Sequence, residues 1–266
     1  MVPGKYLFLL FNGGSQLSMR LSKTHDHPSF DLSNGRIEVW CVKVAASDTL
    51  IHQLGPLLSV EESSRAARFQ FERHRNAFVV VRGVLRGLLA RYIGVSPADV
   101  VFEYGLNGKP SLPGSKIEFN ISHTEGIAVL AFTKDCALGI DVEHIRPVEQ
   151  MMQIAARFFS PAEAHELETL PEEQRERAFF LCWTRKEAYI KAIGDGLSMP
   201  LNEFQVTLKE DEPARFIRMG KESSLPSEWV LHDLDISPTY AAAIAYRGAP
   251  KHVVRSPLLP ATLPVD

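Results

Sequence analysis

Cysteine is scarce in this chain. Cys41, Cys136 and Cys182 are the three in 266 residues; they form no Cys-x-x-Cys pair, have no histidine at ligand spacing, and each sits in an apolar run. That placement argues against a disulfide framework or a zinc knuckle and predicts buried thiols in a reducing compartment. Long apolar runs are missing as well. The run Tyr6 to Phe11 is only six residues long and leads into Asn-Gly-Gly, without a charged start or a small-residue cleavage pattern. It predicts neither a signal peptide nor a spanning helix, and so a cytoplasmic protein with no membrane partner. No sign of charge dominates: the net charge is -3 at pH 7 and no basic tail offsets it, which excludes a strong electrostatic claim on nucleic acid. The phosphate loop GxxxxGK[ST] is absent, and neither a Ser-His-Asp nor a Cys-His arrangement is visible.

What is present is the material of an ordinary globular chain. A hydrophobic content of 45% with 23% charged residues suffices for one large domain or two modest ones, with no need of a metal staple. Charge is uneven locally: Arg65, Arg68, Arg73, Arg75, Arg82, Arg86 and Arg91 fall in one helical region, a candidate face for an anion or an acidic partner.

Periodicity predicts strands over 36–44, 100–104, 118–122, 127–132 and 137–143 and, after the main helix, over 204–209, 229–234 and 240–246. A capping-box pattern, Ser59 to Glu62, opens one helix, and a second follows with Val81, Val84, Leu85, Leu88 and Tyr92 at helical spacing, closed by Gly94. Gly83 and Gly87 within it would let another element approach closely. Helices are also predicted over 149–159 and from Ser160-Pro161, and a main helix over 171–193 stops at Gly194 and Gly196. Residues 1–35 show no sustained period and read as a loosely packed extension. Lys251 onward reads as a surface or mobile tail. No repeat is visible by residue identity.

Within this frame, the stretch from Phe179 to Leu197 carries the chemistry. Glu187 and Lys191, four residues apart, are neighbours on the main helix; alone they would be an ordinary surface ion pair. Upstream, Asp141 and Glu143 alternate with Ile140 and Val142, so a strand points both carboxylates to one face. Three carboxylates with a lysine beside them make a cradle for a divalent cation and an anion, and hard oxygen donors of this kind suit magnesium shared with a pyrophosphate. Asn120, Ser122 and His123 close another strand and could bind a phosphate oxygen, although alternation turns His123 to the opposite face. Lys109, in the turn Asn107-Gly108-Lys109-Pro110, reads on its own as a loop lysine.

Taken together, FNISH at Phe119 to His123, GIDVE at Gly139 to Glu143, WTRKEAYIKAIGDGL at Trp183 to Leu197 and NGKP at Asn107 to Pro110 resemble, in order and spacing, the 4'-phosphopantetheinyl transferases of the surfactin-type group over about 60–246. The resemblance implies an α+β fold of two similar lobes related by pseudo-twofold symmetry, each an antiparallel sheet packed with helices, with coenzyme A in the cleft. The bounds it suggests are an extension over 1–35, lobes over 36–137 and 138–248, and a tail over 249–266. The implied reaction moves the phosphopantetheine arm of coenzyme A onto a serine of an apo acyl carrier protein, or of a carrier domain of a polyketide synthase or nonribosomal peptide synthetase, and releases adenosine 3',5'-bisphosphate. By position, Asp141, Glu143 and Glu187 would hold magnesium, Glu187 would also serve as base for the serine hydroxyl, and Lys191 would neutralise the leaving phosphate. Lys109, Ser122 and His123 match residues that contact the coenzyme A phosphates, Arg65 matches one that reaches the 3'-phosphate, and Lys186 matches a lysine without a clear role. Glu61 and Glu62 stand where some relatives are basic. A two-lobed chain is expected to work as a monomer. Two other readings stay open here. A silent relative that only docks carriers or coenzyme A need not keep the three acids and Lys191, and a nucleotide hydrolase is disfavoured by the missing phosphate loop.

Overall fold

The computed structural model describes residues 29–32, 35–45, 47–194, 199–219 and 226–259. Gly196, expected as a helix stop, and most of the extension lie outside them. In chain order the first half contains β1 (Arg36–Lys43), α1 (Asp48–Leu54), α2 (Val60–Ala67), α3 (Glu72–Ile93), the two-residue strands β2 (Glu103–Tyr104) and β3 (Pro110–Ser111), β4 (Ile117–Thr124) and β5 (Ile127–Lys134). The second contains β6 (Leu138–His144), α4 (Met151–Phe158), α5 (Pro161–Thr169), α6 (Glu172–Ile193), the short β7 (Gln205–Val206) and β8 (Phe216–Arg218), β9 (Trp229–Asp233), β10 (Tyr240–Arg247) and β11 (His252–Leu259). Among the described residues, no helix is long and apolar enough to cross a membrane.

The strands form a four-stranded sheet, β11-β1-β5-β4, and a three-stranded one, β6-β10-β9. Side-chain alternation sorts their residues into three apolar layers. Trp40, Val42, Leu130 and Phe132 on one face of the first sheet pack with Val80, Val84, Leu85 and Leu88 of α3. The opposite face, with Val39, Cys41, Val129 and Ala131, meets Leu138, Ile140, Val142 and Ile244 of the second sheet. The far face of that sheet, with Leu231, Ala241, Ala243 and Ala245, lies under Phe179, Cys182, Tyr189 and Ile190 of α6. The order is therefore helix, sheet, sheet, helix. Strands buried on both faces explain why β1 and β5 read as near-continuous apolar runs.

Likeness between the halves, invisible by residue identity, is visible in the buried ion pairs. Ser59 and Glu62 form a capping box at α2, and Ser160 and Glu163 form one at α5. In each, the glutamate also takes a buried cation from the long helix of its own half. Glu62 accepts from Arg82 Nε at 2.6 Å and Arg86 Nε at 2.5 Å, and Glu163 pairs with Lys186 Nζ at 2.8 Å. Both long helices, α3 and α6, have 22 residues and end at a glycine in the left-handed region, Gly94 and Gly194.

Two expectations about the ends of the chain are corrected. Within the segment read as a tail, residues 252–259 form a strand: β11 adds to β1 in parallel, from Arg36 opposite His252 to Val42 opposite Leu259. The first sheet is therefore mixed, with its antiparallel pairs elsewhere. Proline misled the reading, because Pro257 argues against a strand yet is tolerated at a sheet edge, where one side has no ladder to supply. Likewise, 29–32 are docked. The buried Glu38 carboxylate accepts the N–H groups of Ser29 and Phe30 at 2.6 and 3.1 Å, and the Phe30 ring lies 5.1 Å from those of Trp40 and Tyr92.

The contact that positions the site lies between β6 and α6. Along β6 the residues turned toward the helix are Gly139, Asp141 and Glu143, paired across the ladder with Ala245, Ala243 and Ala241. Small residues in this row bring the helix close. A Cβ on Gly139 would lie 2.1 Å from the Ala188 carbonyl oxygen and 2.3 Å from the Ala192 nitrogen, both backbone atoms of α6. Gly83 has a similar function in α3, where a Cβ would meet Leu54 of α1 at 2.8 Å. Gly139→Ala is expected to force α6 off the strand and cost about 3 kcal/mol, the upper end of overpacking penalties. Urea unfolding measures this, and a change within about 0.5 kcal/mol, the range of neutral surface substitutions, would contradict so tight a contact.

Candidate active site

Where the two sheets meet at β4 and β6 there is no backbone ladder, and side chains take its place. Three alternate residues of β4 reach across. Asn120 Oδ1 accepts the Ile140 N–H at 2.9 Å, Ser122 Oγ donates to Asp141 Oδ1 at 2.8 Å, and Thr124 Oγ1 donates to Glu143 Oε2 at 3.3 Å while accepting the His144 N–H at 3.4 Å. The seam thus joins the lobes and orients the two strand carboxylates.

From the other side, α6 supplies Glu187 and Lys191. Lys191 Nζ donates to Asp141 Oδ1 at 2.6 Å and to Ser122 Oγ at 2.9 Å, which closes a ring of ammonium, hydroxyl and carboxylate. These groups line a cavity of about 400 Å³, a size usual for a ligand pocket. Ser122, His123, Asp141, Glu143, Glu187 and Lys191 form its polar side. Phe158, Trp183 and Leu201 form an apolar wall, with the Phe158 and Trp183 rings edge to face at 5.9 Å. His123 reaches this space although alternation sets it opposite Ser122. β4 is an edge strand of its sheet, so side chains from either face border the crevice beside it.

The electrostatics of the cavity are unbalanced toward negative charge. Desolvation first, and then the Asp141 charge, push the Glu143 and Glu187 carboxyls above their ordinary range. Desolvation and the neighbouring Lys191 push His123 down, so its imidazole is neutral at pH 7 and offers one N–H donor. Asp141 is 4% exposed, and its second oxygen, Oδ2, is buried without any hydrogen-bond partner. A buried carboxylate oxygen left bare is costly and calls for a donor or a cation. Among the described residues, no three acidic, histidine or cysteine side chains are already drawn together at metal-ligand spacing. The carboxylates share the cavity without converging, as like charges do with one ammonium among them.

Six of the eight residues to which the resemblance assigns a catalytic, metal or coenzyme A role therefore meet at one cavity. Two do not line it. Lys109 donates to the carbonyl oxygens of Leu138 and Ala192 at 2.9 and 3.2 Å and is not part of the cavity lining. Arg65 is exposed on α2, with its guanidinium 5.3 Å from the centre of the Phe78 ring. The acidic departure at Glu62 is explained by its capping box and its two arginines, since that carboxylate faces the protein interior.

The role of Lys186 is also visible. Fully buried, it pairs with Glu163 and donates to the Leu201 and Phe204 carbonyls at 2.8 and 2.6 Å, which fixes the segment carrying the apolar wall's Leu201. Its neighbour Arg185 makes a two-oxygen bridge to Asp233 at 2.9 and 2.5 Å and donates to the Thr207 carbonyl at 2.6 Å. Two successive buried cations thus set the rotation of α6 and aim Glu187 at the cavity. Sequence reasoning did not find Arg185, Thr124, Phe158 or Leu201. An arginine next to a lysine just after the apolar run 178–183 of the helix was the one available signal.

Family models match both halves in succession. The one described as 4'-phosphopantetheinyl transferase, N-terminal, matches residues 45–135, and the one described as the 4'-phosphopantetheinyl transferase superfamily matches residues 137–245. Curated relatives agree. The 4'-phosphopantetheinyl transferase HetI of Nostoc is 36% identical over 225 residues, which cover 83% of this chain and 92% of HetI. A 4'-phosphopantetheinyl transferase of Bacillus pumilus is 33% identical over 76% of this chain and 85% of its own length. The Sfp transferase of Bacillus subtilis is 31% identical over 58% of this chain and 68% of its own. With successive models of one family on its two halves, and a relative more than a third identical across nearly all of that relative's length, the chain belongs to the 4'-phosphopantetheinyl transferase superfamily.

Proposed function

We propose that this chain transfers the phosphopantetheine arm of coenzyme A to a serine of an apo acyl or peptidyl carrier protein, with magnesium, and that it works as a monomer. The observation that carries the site assignment is the bare, buried Oδ2 of Asp141 in a cavity where two further carboxyls are held above their ordinary range although Lys191 and, at Glu143, Arg146 partly offset them. That donor set fits a hard divalent cation, which takes oxygen ligands and shares its shell with phosphate. Asp141, Glu143 and Glu187 would hold it. When bound, magnesium supplies Lewis-acid stabilisation of the charge that grows on the pyrophosphate oxygens.

The chain's own groups do the rest. The serine Oγ attacks the phosphorus next to the pantetheine arm; its bond to that phosphorus forms as the pyrophosphate P–O bond breaks, and adenosine 3',5'-bisphosphate departs with the electron pair. Glu187 in its carboxylate form, made more basic by burial, takes the serine proton. Lys191, within reach of both Asp141 and Ser122, offsets charge on the departing phosphate. Neutral His123 donates a hydrogen bond to a phosphate oxygen. The apolar wall of Phe158, Trp183 and Leu201 excludes water, which strengthens each of these interactions. The nucleophile arrives with the partner, in keeping with the missing serine or cysteine triad.

Asp141→Ala and Glu187→Ala are each expected to reduce transfer to an apo carrier protein by about 10²-fold or more, followed as mass gain of the carrier, with the circular-dichroism spectrum unchanged. Full activity in either variant would remove the site assignment. A carboxyl raised in the folded state supports the fold fully below its unfolded pKa, and that support is lost as pH rises through the folded value. Glu143 and Glu187 are raised, so the metal-free protein should lose thermal stability as pH climbs from their ordinary value of 4.5 through the raised range. Millimolar magnesium should restore more stability at about pH 7.5 than at about pH 5, because its ligands are then deprotonated. Thermal melts with and without the ion decide; a magnesium effect equal at both pH values, or larger at the lower one, contradicts the ligand set.

A further inference from the structure

We propose that Lys109 is a positioning residue for this reaction: its ammonium ties strand β6 to the last turn of helix α6 and so sets Lys191 against Asp141. The inference rests on the transferase reading given above. Its basis is geometric. Lys109 Nζ donates to the Leu138 carbonyl on β6, three residues before Asp141, and to the Ala192 carbonyl on α6, the residue after Lys191. One cation from the first lobe therefore bridges the two elements of the second lobe that carry the site.

The chemistry suits both ends of the bridge. Carbonyls in the last turn of a helix have no partner within the helix and form the negative end of its dipole, where a cation is stabilising. Asn107 supplies a second tie from the same turn, with Nδ2 donating to the Gly194 carbonyl at 3.1 Å. The turn is itself braced: the Gly105 N–H donates to the Lys109 carbonyl at 3.0 Å, and Gly108 takes the positive φ of 77° that the tight return requires. The bridge spans the contact at Gly139, where strand and helix already touch backbone to backbone. Burial also pushes the Lys109 ammonium below its ordinary range, the mark of an amine kept from bulk water. Without the tie, the C-terminal end of α6 is free to drift from β6, and a displacement of about 1 Å at reacting groups costs up to about 10²-fold in rate.

A lysine that binds coenzyme A phosphate and a lysine that holds a helix predict different kinetics. Lys109→Met keeps the length of the stem and removes the ammonium; Asn107→Ala removes the second tie from an exposed position. Transfer is measured at saturating apo carrier with coenzyme A varied, coenzyme A affinity by calorimetry, and amide hydrogen exchange over the last turn of α6. Lys109→Met should lower kcat by about tenfold or more while KM and Kd for coenzyme A stay within about threefold, with faster exchange at 190–194. Asn107→Ala should act in the same direction by about two- to fivefold. A tenfold rise in KM or Kd with kcat retained, or no change in any of them, overturns the proposal. If Lys109→Met fails to fold, Asn107→Ala decides the question on the same criteria. A wild-type chain that transfers nothing defeats the transferase reading instead; exchange then tests the tie alone, and unchanged exchange in the variants refutes it.

Discussion

Everything at the site depends on how closely one helix lies on one strand. The row of β6 that meets α6 reads Gly139, Asp141, Glu143, and its ladder partners on β10 are three alanines. With no side chain at Gly139 and methyl groups beside it, the backbones of helix and strand come into contact. Two carboxylates on the strand then share a cavity with the carboxylate and ammonium one turn apart on the helix. Longer side chains in that row would have given an ordinary helix-on-sheet spacing and left the four groups out of reach of each other.

The price of this closeness is negative charge crowded where water is scarce, and the structure shows how it is carried. Asp141 shares one oxygen with Lys191 and Ser122 and keeps the other bare, while Glu143 and Glu187 resist ionisation. A cation would relieve such crowding, and a phosphate could then share its oxygen shell. The surroundings are fixed by buried ion pairs of unusual completeness. Arg185 and Lys186 have every strong partner within the protein, so the helix that presents Glu187 has little freedom to turn.

The two halves repeat one plan and differ where it matters. Each has a capping-box glutamate that takes a cation from a 22-residue helix ending in a left-handed glycine. In α6 the residue after the buried Lys186 is Glu187, whereas in α3 the residue after the buried Arg86 is Gly87. Only one lobe therefore carries the acid on its long helix. The other contributes the hydroxyls, the imidazole and the lysine of the 107–110 turn, so the site needs both.

The sequence alone determined what local periodicity can express. Spacing of four put Glu187 beside Lys191, spacing of two put Asp141 beside Glu143, and the Ser59 capping box, the Ser160-Pro161 helix start and the two helix-ending glycines were legible because their partners lie within a few residues. Tertiary structure decided what depends on distant backbone. β11 pairs with β1 across more than two hundred residues, and no pattern within a proline-bearing segment announces a parallel edge strand. Lys109 bonds to two carbonyls that every residue possesses, so its partners leave no trace in side-chain identity. Glu62 looks like an exposed acid until Arg82 and Arg86 arrive from the next helix. Local sequence sets which face a side chain takes, and only the packing of elements sets what that face meets.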